Sequence, residues 1–315
     1  MSVKTVAAIN RIYQEFKTDA IKEFDAAPRV WGDYAMEVPS SARSTLHAWL
    51  ANQATVREWL GSRQAKGMST RSWEVTNRKW ELTYEFERDQ IDDDLSGLMA
   101  SAIMQARGLG EKFARHEDLL MAQTLEAGLS SACFDGQNYF DTSHPVDIDG
   151  YTSGTFSNKQ VGGFALNHTN YNTALVKLMS FKNADGSPMV ASLNGLVLMV
   201  PPALKLTAQQ ILEVQSLTPA ASIALFNTTG ASQNPLYGSA RVVVNPYLTS
   251  TTRYFLIAAG GMLKPLMLQR RRPLETQELA EGTDLWFREE KIQIGGSARY
   301  AASYTLPQLA ICGDT

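Results

Sequence analysis

Apolar and polar positions alternate with different periods along the chain, and the changes of period mark the elements. Residues 3–24 place Val6, Ile9, Tyr13, Phe16, Ala20 and Ile21 close to helical spacing, with Lys17, Asp19 and Lys22 between them. This predicts an amphipathic helix ending near Pro28. Residues 41–60 hold Trp49 and Trp59 in short helical or irregular pieces closed by Gly61. Between 69 and 88 the period falls to two. Trp80, Leu82, Tyr84 and Phe86 alternate with Glu81, Thr83, Glu85 and Glu87, and Trp73 and Val75 alternate with Glu74 and Thr76. Asn77 sits where a turn would join the two runs, so the pattern predicts a β-hairpin or a long extended loop.

The strongest helical signal follows. Asp92, Asp93 and Asp94 supply negative charge suited to a helix N-terminus. Leu95, Leu98, Ala102, Leu109, Phe113, Leu120 and Thr124 then recur at spacings of three, four or seven, and Gly128 offers a stop. A helix over 91–127 would be about 55 Å long at 1.5 Å per residue. Gly108 and Gly110 weaken its middle by ~1 kcal/mol each, which predicts a kink there. Beyond it the pattern predicts a loop-rich stretch over 131–163 and a helix near 168–181. A strand at Leu196–Val200 follows, then a helix opened by Pro201–Pro202 and running to about Gln215. Strands at Arg241–Val244, Tyr254–Ala258, Met262–Gln269, Leu285–Ile294 and Ala298–Leu309 complete the chain. The order predicts an α+β fold in which the middle segment is inserted into a framework made by its flanks.

Composition sharpens this. Charged residues make up 19% of the 315-residue chain. From Ser130 to Gly260 there are only six basic and six acidic residues in 131, about 9%, whereas the other 184 residues carry 49 charges, about 27%. A charge-poor surface rich in Ser, Thr, Asn and Gly is either covered by other copies of the chain or is a neutral polar exterior. The net charge of −3 disfavours a protein that grips nucleic acid. The chain has no run of about 18 apolar residues, as a membrane-spanning helix requires, and Tyr13, Gln14 and Glu15 interrupt any export signal. Cys133 and Cys312 lie far apart with no Cys/His cluster in sequence, so neither a zinc site nor a cofactor is expected and a reducing compartment is.

Candidate chemistry is sparse. His47, His116, His144 and His168 are widely separated, and the HExxH, GxSxG, GxxxxGK[ST] and GxGxxG signatures are absent. His116 reads as a surface helix residue. Asp141, His144, Asp147 and Asp149, in FDTSHPVDIDG, form the densest titratable cluster. A hydrolase using Asp141, His144 and Asp147 is one reading; turn chemistry, with Asp, Ser, Pro and Gly fixing loop backbone, is the other. Arg270-Arg271-Arg272 is followed closely by Glu275, Glu278 and Glu281, which favours an exposed strand end or subunit contact over a nucleic-acid site. Arg71, Trp73, Arg78, Lys79 and Trp80, on the predicted hairpin, are the candidate inter-subunit residues, since aromatic and basic side chains anchor interfaces.

Three stretches carry a resemblance. Ser41-Ala42-Arg43-Ser44 with Trp49, then Arg57 to Arg63 (REWLGSR), then the thirteen residues Phe134 to Val146 (FDGQNYFDTSHPV), resemble the major head subunit family of Mu-like bacteriophages. The resemblance implies the Hong Kong 97-like capsid fold. Its parts would be an N-terminal arm over 1–61, an extended loop over 62–88, and an axial domain over 185–262. A peripheral domain would take 89–184 and 263–315, with a spine helix at 91–128. It implies a structural, non-enzymatic subunit that assembles with itself into hexamers and pentamers of an icosahedral head. The head would enclose double-stranded DNA without sequence-specific binding. Scaffold or protease, portal and decoration proteins would be partners, with no membrane. The location would be the virion capsid, and the host cytoplasm during assembly. The shell of a cellular nanocompartment with the same fold is the alternative.

Overall fold

The N-terminal stripe folds as α1 (Val3–Ala26), followed by a 3-10 turn at Trp31–Asp33, β1 (Ala35–Pro39), β2 (Ser44–His47), β3 (Trp73–Thr76) and β4 (Arg78–Glu87). Next come α2 (Leu95–Ala127), β5 (His144–Pro145), β6 (Thr155–Phe156), β7 (Lys159–Gln160) and α3 (His168–Ser180). The middle of the chain holds β8 (Leu196–Val200), α4 (Lys205–Leu212), β9 (Ser216–Leu217), β10 (Ser232–Gln233), β11 (Arg241–Val244) and β12 (Tyr254–Ala258). Last are β13 (Leu266–Leu279), β14 (Lys291–Tyr304) and β15 (Ala310–Gly313). This computed structural model describes residues 3–47, 73–87, 95–146, 154–160, 162–182, 187–190, 192–218, 232–279 and 288–315. The expectations placed on Trp49, Trp59, Arg71, Asp92 to Asp94, Asp147 and Asp149 lie outside them.

The long helix α2 runs unbroken for 33 residues, about 50 Å at 1.5 Å per residue. The helix is continuous through both central glycines, and Gly110 answers a packing demand. A Cβ at Gly110 would overlap the carbonyl oxygen of Ala20 and lie 2.8 Å from the Phe24 nitrogen. Glycine thus lets α1 cross α2 at backbone contact, and Phe16, Ala20 and Phe24 join Ala106, Leu109 and Phe113 in one buried cluster. Gly108, with nothing within 4 Å of a would-be Cβ, carries no such duty.

Both helices lie on one face of a four-stranded sheet of order β1-β13-β14-β4, in which β1 pairs parallel with β13 and the others are antiparallel. Leu266, Leu268, Ile292, Ile294, Ala298 and Tyr300 fill that face. The expected hairpin of residues 69–88 is corrected here. β4 pairs along its whole length with β14, from Arg78↔Tyr300 to Glu87↔Lys291, whereas β3 pairs with β2. The two runs cannot pair with each other because they serve opposite faces of the sheet. Phe86, Trp80, Leu82 and Tyr84 pack on the helix side; Val75 packs with Met267 and Ala301 on the other. The β2–β3 ribbon therefore covers part of the second face, and residues 48–72 depart from its end, where His47 pairs with Trp73.

A second sheet of order β11-β8-β12-β15-β7 has both faces covered. Val197, Met199, Phe255, Ile257 and Cys312 join the cluster of α1 and α2. Leu198, Val200, Tyr254, Leu256 and Ile311 meet Leu175 and Leu178 of α3 and Ile211 and Leu212 of α4. Double burial explains why LVLMV and YFLIA are continuously apolar rather than alternating. Residues 159–160, 168–180 and 310–313 belong to the layer of the second sheet.

The two central glycines should respond oppositely. Gly110→Val should lower the stability of the dispersed subunit by ~3 kcal/mol through overpacking. Gly108→Ala should raise it by ~1 kcal/mol. Urea unfolding of the two variants checks this, and equal effects would remove the crossing from the account.

Candidate functional site

The stretch from Phe134 to Val146 lies where the two sheets join. Gly136, at φ 86°, reverses the chain after α2, and Cys133 N–H donates to the Gln137 carbonyl. The reversal seats Tyr139, fully buried, parallel to Tyr304 with ring centroids 4.5 Å apart. Its hydroxyl donates to the carbonyls of Pro265 (3.0 Å) and Leu306 (3.3 Å), where β13 begins and β14 has ended. Asn158, also fully buried, donates through Nδ2 to the carbonyls of Tyr139 (2.8 Å) and Pro307 (3.0 Å). Its Oδ1 accepts from the Asp141 N–H (2.9 Å) and faces His144 Nε2 at 3.2 Å.

Asn158 cannot be reversed without aiming its oxygen at two carbonyls, so Oδ1 is the acceptor of this set. His144 Nδ1 meets Asp135 Oδ2 at 2.6 Å, the two side chains being 0% and 2% exposed. Burial pushes the Asp135 carboxyl upward, but hydrogen bonds from His144 and Cys133 outweigh it and hold the group below its ordinary range. Burial, reinforced by the Asp135 charge, pushes the Cys133 thiol well above its usual range, so it is no thiolate nucleophile.

Cys133, Asp135 and His144 are metal-ligating residue types, with ligand atoms within 4.8 Å of one another. Asp135 is already shared by His144 and the Cys133 thiol (2.9 Å), and burial keeps that thiol protonated, so the three side chains are engaged with one another. The predicted catalytic reading meets the same geometry. Asp141 accepts from the N–H groups of Thr142 (2.7 Å) and Ser143 (3.1 Å), which is turn chemistry. His144 is sealed from solvent, and its ring nitrogens meet Asp135 and Asn158. The cluster is a joint between the two layers.

The family described as Mu-like prophage major head subunit gpT matches this chain over residues 9–165, 163–248 and 249–315. The chain belongs to that family. It is 32% identical over 150 residues to the major capsid protein of Escherichia phage Mu, a match covering 47% of this chain and 48% of that protein. The matched stretch thus spans about half the length of that curated relative. Among solved structures, a chain of the procapsid of bacteriophage JBD30 superposes with TM-score 0.60 at 21% identity, covering 100% of this chain and 76% of that one. A chain of the holo-SrpI encapsulin complex from Synechococcus elongatus superposes with TM-score 0.52 at 9% identity, covering 91% and 87%. The fold is the Hong Kong 97-like capsid fold in its α+β form.

The predicted interface residues among those described separate into two groups. The indoles of Trp73 and Trp80 are committed within the chain. Trp73 Nε1 donates to Ser303 Oγ (2.9 Å), and Trp80 Nε1 donates to the Tyr300 carbonyl (3.2 Å). Trp80 also lies against His116 (centroids 4.3 Å apart), whose Nδ1 meets the Tyr300 hydroxyl at 2.7 Å. His116 is thus an inward-facing residue rather than the expected surface one, and burial lowers its pKa. Arg78 and Lys79 are exposed.

The tribasic run divides as well. Arg270 turns inward, donating to Glu37 (2.6 Å) and to the fully buried Glu117 (2.7 Å), whereas Arg271 and Arg272 face the opposite side of the sheet. Glu117 also accepts from the Trp31 indole at 3.2 Å, and Asp118 caps the preceding turn through the Val30 and Trp31 N–H groups. Sequence reasoning missed this pair. The available signal was position: Glu117 falls on the stripe of Phe113, Leu120 and Thr124, where an apolar residue was expected.

Breaking the joint should be costly. His144→Ala should destabilise the subunit by ~3 kcal/mol or more, because it leaves Asp135 buried and uncompensated. The depressed Asp135 carboxylate contributes stability above the ordinary carboxylate range that is lost as pH falls through its folded-state value. Asp135→Asn should therefore flatten the acid limb of a stability-against-pH curve measured by urea unfolding. An unchanged limb would sink this assignment.

Proposed function

We propose that this chain is the structural subunit of an icosahedral phage head, assembling with itself into hexamers and pentamers that enclose double-stranded DNA. The observation that carries the reading is the family match from residue 9 to residue 315, joined to a fold shared with a procapsid subunit. The chemistry agrees with it. The cluster of Cys133, Asp135 and His144 is engaged in holding the two sheets together, and no helix among the described residues is long and apolar enough to cross a membrane.

The surface supports the same conclusion. In and beside the charge-poor segment, Val176, Leu193, Leu206, Tyr237 and Met262 are exposed, Met262 at 92%. Apolar side chains presented on a surface with few charges suit contacts that are completed by other copies. Residues 62–88 would form the extended loop that reaches a neighbour, with Arg71, Arg78 and Lys79 as its candidate contacts. Trp73 and Trp80 would then anchor that loop rather than meet the neighbour directly. Scaffold, protease, portal and decoration proteins would be the further partners. The location would be the virion, with assembly in the host cytoplasm.

Negative-stain microscopy of the purified protein should show rings or closed shells, alone or with a scaffold partner. A monomer persisting across concentration and salt would overturn the reading. Particles containing a protein cargo in place of nucleic acid would instead favour a nanocompartment, as the encapsulin-like fold allows.

A second test concerns the loop. Replacing residues 49–71 by a short Gly-rich turn should leave the subunit folded, because His47 and Trp73 are already paired, but unable to close shells. Normal shells from that variant would refute the role given to the loop.

A further inference from the structure

One cross-strand row of the first sheet gathers cations. Lys79 of β4 is in register with Arg299 of β14, which is in register with Arg272 of β13. Like charges placed opposite one another destabilise a sheet. Arg271 joins them through an irregularity of the ladder. The β13–β14 register shifts between Arg270 and Arg272, and again between Arg272 and Glu275. A regular strand sends successive side chains to opposite faces. The shift lets the consecutive Arg271 and Arg272 line one groove with Lys79 and Arg299. Pro273, which cannot donate to a ladder, follows them in the same strand.

The groove has a volume of roughly 790 Å³, and Glu275 is the one carboxylate among its described lining residues. Glu275 is paired with Arg272, whose Nε lies 3.4 Å from a carboxylate oxygen but makes no hydrogen bond, while Nη2 donates to Ser297 Oγ (2.9 Å). Among the described residues, Lys79, Arg271 and Arg299 form no ion pair, and Lys79 and Arg271 are exposed. Four cations against one carboxylate leave a local surplus of positive charge. Strands about 4.8 Å apart make the row about 10 Å long, which exceeds a single phosphate group. Guanidinium forks match phosphate oxygens two at a time, and linked phosphates place several negative charges within that length.

We propose that this groove binds linked phosphate groups, of a free polyphosphate or of a nucleic-acid backbone, on Arg271, Arg272, Arg299 and Lys79. The proposal goes beyond the shell reading and stands on this row of the sheet alone.

The test is calorimetric titration of the purified full chain with inorganic triphosphate. Binding should be saturable and weaken as salt rises. Affinity should fall roughly tenfold or more in the double variant Arg271→Gln, Arg299→Gln. It should stay unchanged in Lys205→Gln, which removes an exposed cation of the other layer. Urea unfolding without phosphate should find the double variant at least as stable as the parent, because repulsion in the row is relieved. Lost binding is then not lost folding. Unchanged affinity in the double variant, or an equal loss in Lys205→Gln, would overturn the proposal, since only diffuse charge would be at work. So would a tetraglutamate peptide that binds as tightly as triphosphate, because a carboxylate would then serve equally. A ten-nucleotide single-stranded DNA is the second phosphate probe. Whichever of the two binds more tightly through Arg271 and Arg299 identifies the source of the phosphates. Because the assay needs no assembly, a chain that binds phosphate but never forms shells would separate this proposal from the shell reading.

Discussion

Asn158 makes four hydrogen bonds in a fully buried site, and the union of the two sheets depends on them. Its amide holds the carbonyls of Tyr139 and Pro307, while its oxygen takes the Asp141 N–H and the His144 ring. An asparagine side chain has two donors and two acceptor sites, so none is left over. The partners come from segments up to 149 residues apart in sequence, and the backbone N–H of Cys312 donates to the Asn158 carbonyl from the second sheet. Removing this residue would strand several buried polar groups at once, each costing about 1–3 kcal/mol. A buried network of this kind is stabilising only when complete. That requirement ties His144 and Asp135 to their partners in the joint.

With that joint in place, each sheet solves a different burial problem. The second sheet is covered on both faces and needs almost no polar residues within its strands. The first sheet has helices on one side only. Its other side must be shared between the ribbon and whatever approaches from outside. Gln269 shows how tightly the shared region is drawn: fully buried, it meets His47 at 2.8 Å and donates to Asn77 (2.9 Å) and to the Val75 carbonyl (3.0 Å). A glutamine on a core-facing strand position is tolerated because the ribbon completes its hydrogen bonds. Beyond the end of the ribbon the side chains on that face become charged, as at Arg271, Arg272 and Arg299.

The periodic parts of this fold were legible in the chain. α1, the spine helix α2, α3, and the strands β8, β11 and β12 fall where spacing alone placed them. Partnership was not legible. A period of two states which residues share a face but not which strand lies alongside, so β3 and β4 read as one hairpin although they belong to opposite faces. Gly110 read as a weakness because sequence records the missing side chain and not the helix that occupies its space. The titratable cluster was visible from Asp141 to Asp149, yet its working members proved to be Asp135, His144 and Asn158. Asn158 carries no signal, since one asparagine in a polar loop resembles any other until its neighbours are assembled.

The uneven charge can be argued further from symmetry. In an assembly of identical copies around an axis, a surface charge recurs on every copy and tends to face its own kind unless a complementary group is supplied beside it. A layer with few charges avoids that repulsion, and exposed apolar side chains such as Leu206 and Met262 then contribute through burial when copies meet. The first sheet is built on the opposite plan. Lys79, Arg271, Arg272 and Arg299 stand together on it. On the proposed assembly, the charge-poor layer suits contacts between like copies. The joint at Asn158 holds that layer to the first sheet.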